Sequence, residues 1–208
     1  MKNKLKVVMP IYGLFLLIAG YLLLMYGKGP VEIWVNHHHF PFGDVFFKYA
    51  TKLGEGVTLV LFAIGLARIS RYVLFEGALV IIVQTILTFI AKRAFDIPRP
   101  SAWWPHDVTL NIVEGVSLHS RWSFPSGHTA MIFAVCGYLI IVARKSSWAT
   151  LWLVIALTTA ISRVYLAQHF LVDIYFGSLL GMGCAFAVHY HMNYWHPQLR
   201  KKWAKPLF

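Results

Sequence analysis

The sequence is poor in charge and poorest in acids. Only 13% of its 208 residues are Asp, Glu, Lys or Arg, against 58% apolar residues and a mean hydropathy of +0.61. Those values exclude an ordinary soluble domain of this length. The eight acids are scattered, so no carboxylate cluster of the kind a magnesium or two-metal centre needs is on offer. The two cysteines, Cys136 and Cys184, each sit in the middle of an apolar run. A disulfide framework is thereby excluded, and both read as small buried residues. No internal repeat and no low-complexity linker breaks the chain, and residues 1–208 read as a single domain.

What the chain has instead is a series of long apolar runs. Crossing a bilayer takes about 20 residues, and such stretches are expected at Val8–Tyr26, Val57–Ile69, Val73–Ala91, Thr129–Ala143, Trp148–Tyr165 and Phe170–His191. The second is short unless it starts nearer Gly54. The expected fold is all-α: a polytopic integral membrane protein, a six-transmembrane-helix bundle with a short interfacial helix. The interfacial helix is read from residues 46 to 53, where Phe46, Phe47, Ala50 and Leu53 share a face opposite Lys48 and Lys52. Lysines precede the first run, yet no small-residue cleavage site follows Tyr26, so an uncleaved helix is expected rather than a signal peptide.

Lys and Arg in short loops set the orientation. With the N-terminus inside, the inner segments hold Lys2, Lys4, Lys6, Arg68, Arg71, Arg144, Lys145, Arg200, Lys201, Lys202 and Lys205. Seven of the eight acids then fall outside or at outer helix ends, leaving Glu76 near the inner face. Both termini are expected in the cytoplasm. The net charge of +11 is spread over several short inner segments that face anionic headgroups, which makes the lipid bilayer the expected partner and excludes nucleic acid.

Ionisable groups in or beside membrane spans are costly and usually serve a site. Here they fall in three places: Lys92 and Arg99 at the end of the third run, Ser126 and His128 at the start of the fourth, and Arg163, His169 and Asp173 across the break between the fifth and sixth. The topology puts all three at the outer ends of their helices. Three fixed cations around one point suit a phosphate dianion, and the arginines can grip its oxygens bidentately. The run Pro125-Ser-Gly-His128 reads as a helix start, whose free N–H groups bind phosphate and whose Gly127 lets the backbone approach closely. His169 and Asp173 are four apart and share a helical face if the last helix begins near His169. A carboxylate on one imidazole nitrogen fixes the tautomer and leaves the other as a nucleophile, and His128 from another helix can protonate a leaving oxygen. With only Asp173 and Asp96 nearby, a mechanism without metal or other cofactor is expected.

These residues, in this order and spacing, resemble the three-part signature of the type 2 phosphatidic acid phosphatase superfamily, which also includes vanadium haloperoxidases and glucose-6-phosphatases. The parts are Lys92 with Arg99 and Pro100; Pro125, Ser126, Gly127 and His128; and Ser162 and Arg163 with His169 and Asp173. The resemblance implies that His169 attacks phosphorus to give a phosphohistidine, that Asp173 orients it, and that His128 protonates the leaving alkoxide and later activates water. Lys92, Arg99, Ser126, Gly127 and Arg163 would hold the phosphoryl oxygens, and no metal would be needed. Six spans separate the chain from a soluble haloperoxidase. Among membrane members the substrate classes are undecaprenyl diphosphate, phosphatidylglycerophosphate, phosphatidic acid and lipid A phosphates. Small size and short loops match a bacterial inner-membrane protein with its site on the periplasmic face. A phosphotransferase that passes the group to an acceptor lipid or sugar shares the first half-reaction, whereas a non-catalytic lipid transporter would need the cations but neither histidine.

Other features carry less. His119 and Arg121, just before the fourth run, are placed to meet a second phosphate or to lie on the loop surface. The run His37–His39 reads as a solvated loop facing headgroups, because adjacent residues cannot all point at one ion. Trp103 and Trp104 read as interfacial anchors, and His189, His191 and His196, near the inner end of the last run, receive no role. Headgroup selection is expected to reside in 101–123 and in 27–53.

Overall fold

The computed structural model describes residues 2–104 and 108–207; residues 105–107, within the stretch 101–123 to which headgroup selection was assigned, lie outside that range. Ten α-helices and one 3-10 turn follow in order among the described residues: α1 Lys2–Tyr26, α2 Pro30–His37, α3 Pro41–Ala50, the turn Thr51–Gly54, α4 Gly56–Ala67, α5 Arg71–Phe95, α6 Pro100–Trp103, α7 Gly127–Val142, α8 Ser146–Tyr165, α9 Leu171–Trp195 and α10 Pro197–Lys202. Local chemistry sets several of these ends. Ser70 caps α5 by accepting from Val73 N at 3.1 Å, and α5 stops at Asp96, whose φ of 38° is left-handed. Pro98 follows and cannot extend it.

Among the described residues four helical stretches are long and apolar enough to cross a membrane: Asn3–Tyr26, Arg71–Trp103 (α5 with the short α6), Ser146–Tyr165 and Leu171–Trp195. Pro41–Gly54 and Thr58–Ala67 satisfy the same test only as a pair, bent by 52°. The chain is thus a multi-pass, all-helical membrane protein with four to five apolar spans. Gly127–Val142 is shorter, and its surroundings explain why it can be. Eleven of its 16 residues are buried, because α5, α8 and α9 pack around it and spare it contact with lipid. On one side Phe133, Cys136, Leu153, Ile174 and Met182 form a core shared with α1; on the other Val80, Val135 and Tyr138 meet Phe62 and Leu66 of α4. Outward faces carry side chains such as Leu17, Leu24, Ile86 and Phe89, the apolar dress of a lipid-facing surface.

Glycines set the tightest approach, between α7 and α9. A Cβ on Gly181 would collide with the Ala130 carbonyl and lie 2.8 Å from Ala134 N, and one on Gly177 would lie 2.9 Å from Ser126 O. Both obstacles are backbone, which cannot swing aside as a side chain would.

The two ends of the bundle differ in kind. At one end Lys4, which the sequence placed among the headgroup-facing cations, is buried and donates to the Ile141 and Ala143 carbonyls at 2.5 and 2.6 Å, capping the negative end of α7. There too the tail binds the start of α5 through Arg71 N to Lys205 O (2.9 Å) and Tyr72 N to Trp203 O (3.0 Å). Glu76, fully buried, accepts from Tyr138 OH at 2.6 Å and lies 3.1 Å from His189 Nδ1, so His189 serves an interior polar knot. The ends of α5 and α8 and the starts of α7 and α9 therefore meet at the opposite end, which gathers all three polar clusters.

Gly181→Ala should overpack the α7–α9 seam and cost about 1–3 kcal/mol, read as a lower Tm in detergent. Gly183→Ala, where a Cβ meets nothing within 4 Å, should leave Tm unchanged.

Candidate active site

The α8–α9 connection is short and heavily bonded. After Tyr165 the chain turns through Ala167, whose φ is 51°, and both Gln168 N and His169 N donate back to Arg163 O at 2.9 and 3.1 Å. His169 is therefore fixed by its own backbone just ahead of α9, which begins at Leu171. This corrects the expectation that His169 and Asp173 share a helical face. The pair meets because Asp173, in the first turn, folds its carboxylate back over the helix start.

One oxygen of that carboxylate carries the arrangement. Asp173 Oδ2 accepts from Phe170 N at 2.9 Å and from Ser123 Oγ, and it lies 3.3 Å from His169 Nδ1. Bonding at Nδ1 places the proton there and turns a lone pair outward on Nε2. Both side chains are buried, and among the described residues Nε2 has no hydrogen-bond partner. Burial, and then the cations Arg163, Arg99 and Lys92, hold the His169 imidazole well below its ordinary pKa. His169 is consequently neutral.

Gln168 orders the cations. Its Oε1 accepts from Arg163 Nη2 and from Arg99 Nη1, each at 3.4 Å, and its amide donates to Ser117 O at 2.8 Å. Arg163, itself buried, also donates to Thr51 Oγ1 at 2.6 Å, and Arg99 Nε donates to Arg121 O at 3.0 Å. None of these partners is a carboxylate, so the guanidinium charges are held in place without being neutralised. Lys92 donates to Trp122 O at 2.5 Å and lies beside the start of α7, where a Cβ on Gly127 would be 3.5 Å from its Cε. That is ordinary contact, so Gly127 answers no steric demand from the packed side. Ser126 caps α7 through its Oγ, which accepts from Thr129 Oγ1 at 3.0 Å, while Ser126 N donates to Asp173 O at 3.1 Å. That second bond ties the α7 start directly to α9.

His128 is half-buried on the wall of a cavity of about 330 Å³ that it shares with Arg99, Arg163 and Gln168. Two neighbours set its position. Glu55 Oε1 is 4.0 Å from Nε2, and Gly54 packs so closely that a Cβ there would stand 3.1 Å from His128 Cβ. Of the eight expected residues, His128, His169, Asp173, Lys92, Arg99 and Arg163 thus converge around one point, with Ser126 and Gly127 forming the adjoining helix start.

A family model described as the PAP2 superfamily matches residues 73–197, more than half of the chain and all eight of these residues. The chain belongs to the PAP2 superfamily. The crystal structure of Aquifex aeolicus LpxE is similar at 28% identity with a TM-score of 0.68, over 77% of this chain and 93% of that one. A transmembrane PAP2-type phosphatidylglycerolphosphate phosphatase from Bacillus subtilis shares the fold, with a TM-score of 0.64 at 22% identity over 88% and 94% of the two chains. Among curated proteins, the bacitracin transport permease protein BcrC of Bacillus licheniformis is 38% identical over 66 residues, 32% of each chain. A probable sphingosine-1-phosphate phosphatase of Dictyostelium discoideum is 26% identical over 85% of this chain and 46% of its own. The chain spans less than half the length of the curated relatives it matches.

Several further residues of this PAP2 chain take definite positions. Arg121 is exposed and paired with Asp96 at 2.6 Å, whereas His119 lines the cavity. His39 belongs to no solvated loop: it stacks on Tyr165 with ring centres 4.1 Å apart and donates to the Tyr165 carbonyl at 2.8 Å. Trp103 and Trp104 pack on Phe170, with Lys28 Nζ 3.6 Å from the centre of a Trp103 ring. Ser123, Gln168, Thr51, Glu55 and the buried Glu32, which accepts from Leu171 N at 2.5 Å, went unread, because each acts across the fold and none belongs to a spaced motif.

The neutral His169 has a pH consequence. Its folded pKa lies below the unfolded value of about 6.5, so as pH falls below 6.5 the unfolded chain takes up a proton that the folded one refuses, and stability is lost. Between pH 7.5 and 5.5 the Tm in detergent should fall more steeply for wild type than for His169→Gln. Identical slopes would refute the neutral assignment.

Proposed function

We propose that the chain is an integral-membrane phosphatase that hydrolyses a lipid phosphate or diphosphate through a phosphohistidine. The observation that carries this reading is the buried, neutral His169, whose Nε2 is free of partners among the described residues while its Nδ1 is held by Asp173 amid three cations. A phosphoryl group held by Lys92, Arg99, Arg163, Ser126 and Gly127 would meet that lone pair. The Nε2–P bond forms as the bond from phosphorus to the lipid oxygen breaks, and His128 supplies the proton the leaving oxygen needs. In the second half His128 takes a proton from water as its oxygen attacks phosphorus, the N–P bond breaks, and phosphate departs. Asp173 stays ionised throughout, holding the imidazole and balancing the charge it acquires. No step needs a metal.

The topology fits this chemistry. We read six spans in a single domain, with the bent α3–α4 pair and α7 completing the four long helices, and α3 lying along the interface. Both termini face the cytoplasm of a bacterial inner membrane and the site opens on the periplasmic face, where the buried Lys4 and the basic tail mark the opposite side. Substrates of the undecaprenyl diphosphate, phosphatidylglycerophosphate, phosphatidic acid and lipid A phosphate classes all present a phosphate at that depth.

Purified protein in detergent should release phosphate from a lipid phosphate panel, with inhibition by vanadate and none by EDTA. His169→Ala should lose a factor of about 10⁴ or more in kcat. His128→Ala should lose less with a good leaving group such as nitrophenol, and should accumulate an acid-labile phosphoprotein that His169→Ala lacks. Full activity in His169→Ala, or loss on chelation, would rule out this mechanism.

A further inference from the structure

The cavity does not end at the groups that hold one phosphate. It is also lined by Lys48 and Lys52 from α3 and the 3-10 turn, by His119, and by Gly115, Val116 and Ser117, and the turn that carries Lys52 packs on His128 through Gly54. Lys48 and Lys52 lie one helical turn apart and so share a side. Among the described residues neither pairs with an acid. Lys48 is also held still: its Nζ donates to Glu114 O at 2.5 Å, and the turn that follows comes so close that a Cβ on Gly115 would be 2.8 Å from it. Gly115, with φ of 75°, supplies a conformation that other residues rarely adopt. Lys52 is exposed at the mouth, its Nζ 5.2 Å from the Tyr49 ring centre. The carboxylate lining this part of the cavity is Glu55, already facing His128 at 4.0 Å.

Position decides what these cations meet. Resting on the reading above, His128 protonates the leaving oxygen, so the turn 51–55 that packs on His128 flanks the leaving group. A neutral diacylglycerol or sugar hydroxyl gains nothing from two ammonium groups there. A leaving group whose first atoms past the scissile oxygen are themselves a phosphate gains both. We propose that the substrate class is a lipid diphosphate, with Lys48 and Lys52 binding the phosphate that stays on the lipid and His119 flanking it. The reaction is P–O cleavage between the two phosphorus atoms: His169 Nε2 bonds to the terminal phosphorus, and the departing lipid monophosphate takes its proton from His128. The charge on that product lowers its need for protonation, which the lysines meet electrostatically.

Farnesyl diphosphate, farnesyl phosphate and a phosphatidylglycerophosphate, whose second phosphate is several bonds away, separate the possibilities. Wild type should favour farnesyl diphosphate over farnesyl phosphate in kcat/KM by about tenfold or more, a factor worth about 1.4 kcal/mol. Lys52→Gln and Lys48→Gln should each shrink that ratio several-fold, Lys52→Arg should retain it, and Lys201→Gln at the far end should not move it. Because Lys52 is exposed and makes no structural bond, its variant remains informative should Lys48→Gln misfold. A wild-type preference for farnesyl phosphate or for phosphatidylglycerophosphate overturns the diphosphate proposal, as does a ratio that the Lys52 change leaves intact. Failure to release phosphate from any of the three overturns the phosphatase reading itself.

Discussion

One carboxylate oxygen organises the end of the bundle that gathers the polar clusters. Asp173 Oδ2 receives the Phe170 amide, the Ser123 hydroxyl and the His169 imidazole edge, three donors from two parts of the chain. The Phe170 bond starts α9; the Ser123 bond anchors the long outer loop where it re-enters the bundle; the His169 bond sets the tautomer. A buried carboxylate is costly unless its lone pairs are used. Here the cost is offset by bonds that are also the ones chemistry requires. Helix initiation, loop docking and tautomer choice therefore rise or fall together.

The rest of the fold can be understood as holding the partners of that oxygen at the right height. Gly177 and Gly181 let α9 close on α7 until Ser126 N reaches the Asp173 carbonyl, which locks the start carrying His128 to the start carrying Asp173. Gly54 presses the α3–α4 bend against His128, and Thr51 in the same bend takes a bond from Arg163. At the far end Lys4 closes α7 and the Glu76 knot joins α5, α7 and α9. Interior polar networks of this kind fix helix register where apolar packing alone is tolerant of slippage.

Much of this was legible in the sequence, and the reason is physical. Cations and histidines in lipid-depth helices are expensive, so Lys92, Arg99, His128, Arg163, His169 and Asp173 stand out, and basic-loop asymmetry sorts them to one side. Helix content likewise follows from long apolar runs. What the sequence hid are the residues that act through a fold. Ser123 and Thr51 are unremarkable loop hydroxyls until Asp173 and Arg163 arrive from elsewhere, and Gln168 bridges two arginines that lie 64 residues apart in sequence. Periodicity also misplaced His169, because a four-residue spacing implies a shared helical face only when both residues are helical. His39 was misjudged for a similar reason: its stacking partner Tyr165 lies 126 residues away.

The electrostatics close the account. Lys92, Arg99 and Arg163 are held by carbonyls, an amide and a hydroxyl, partners that orient a cation without cancelling its charge. Such an arrangement is costly, since like charges are confined at low dielectric and, among the described residues, none of the three pairs directly with a carboxylate. Burial, and then the same cations, keep the proton off His169, so in the proposed role of nucleophile it would need no base to activate it. On the proposed reading an arriving phosphate would reverse both effects at once, neutralising the cations and making a positive imidazole tolerable as an N–P bond formed. The cost of confining those cations would thus be relieved in the state that precedes and accompanies bond formation, which is how binding energy becomes rate.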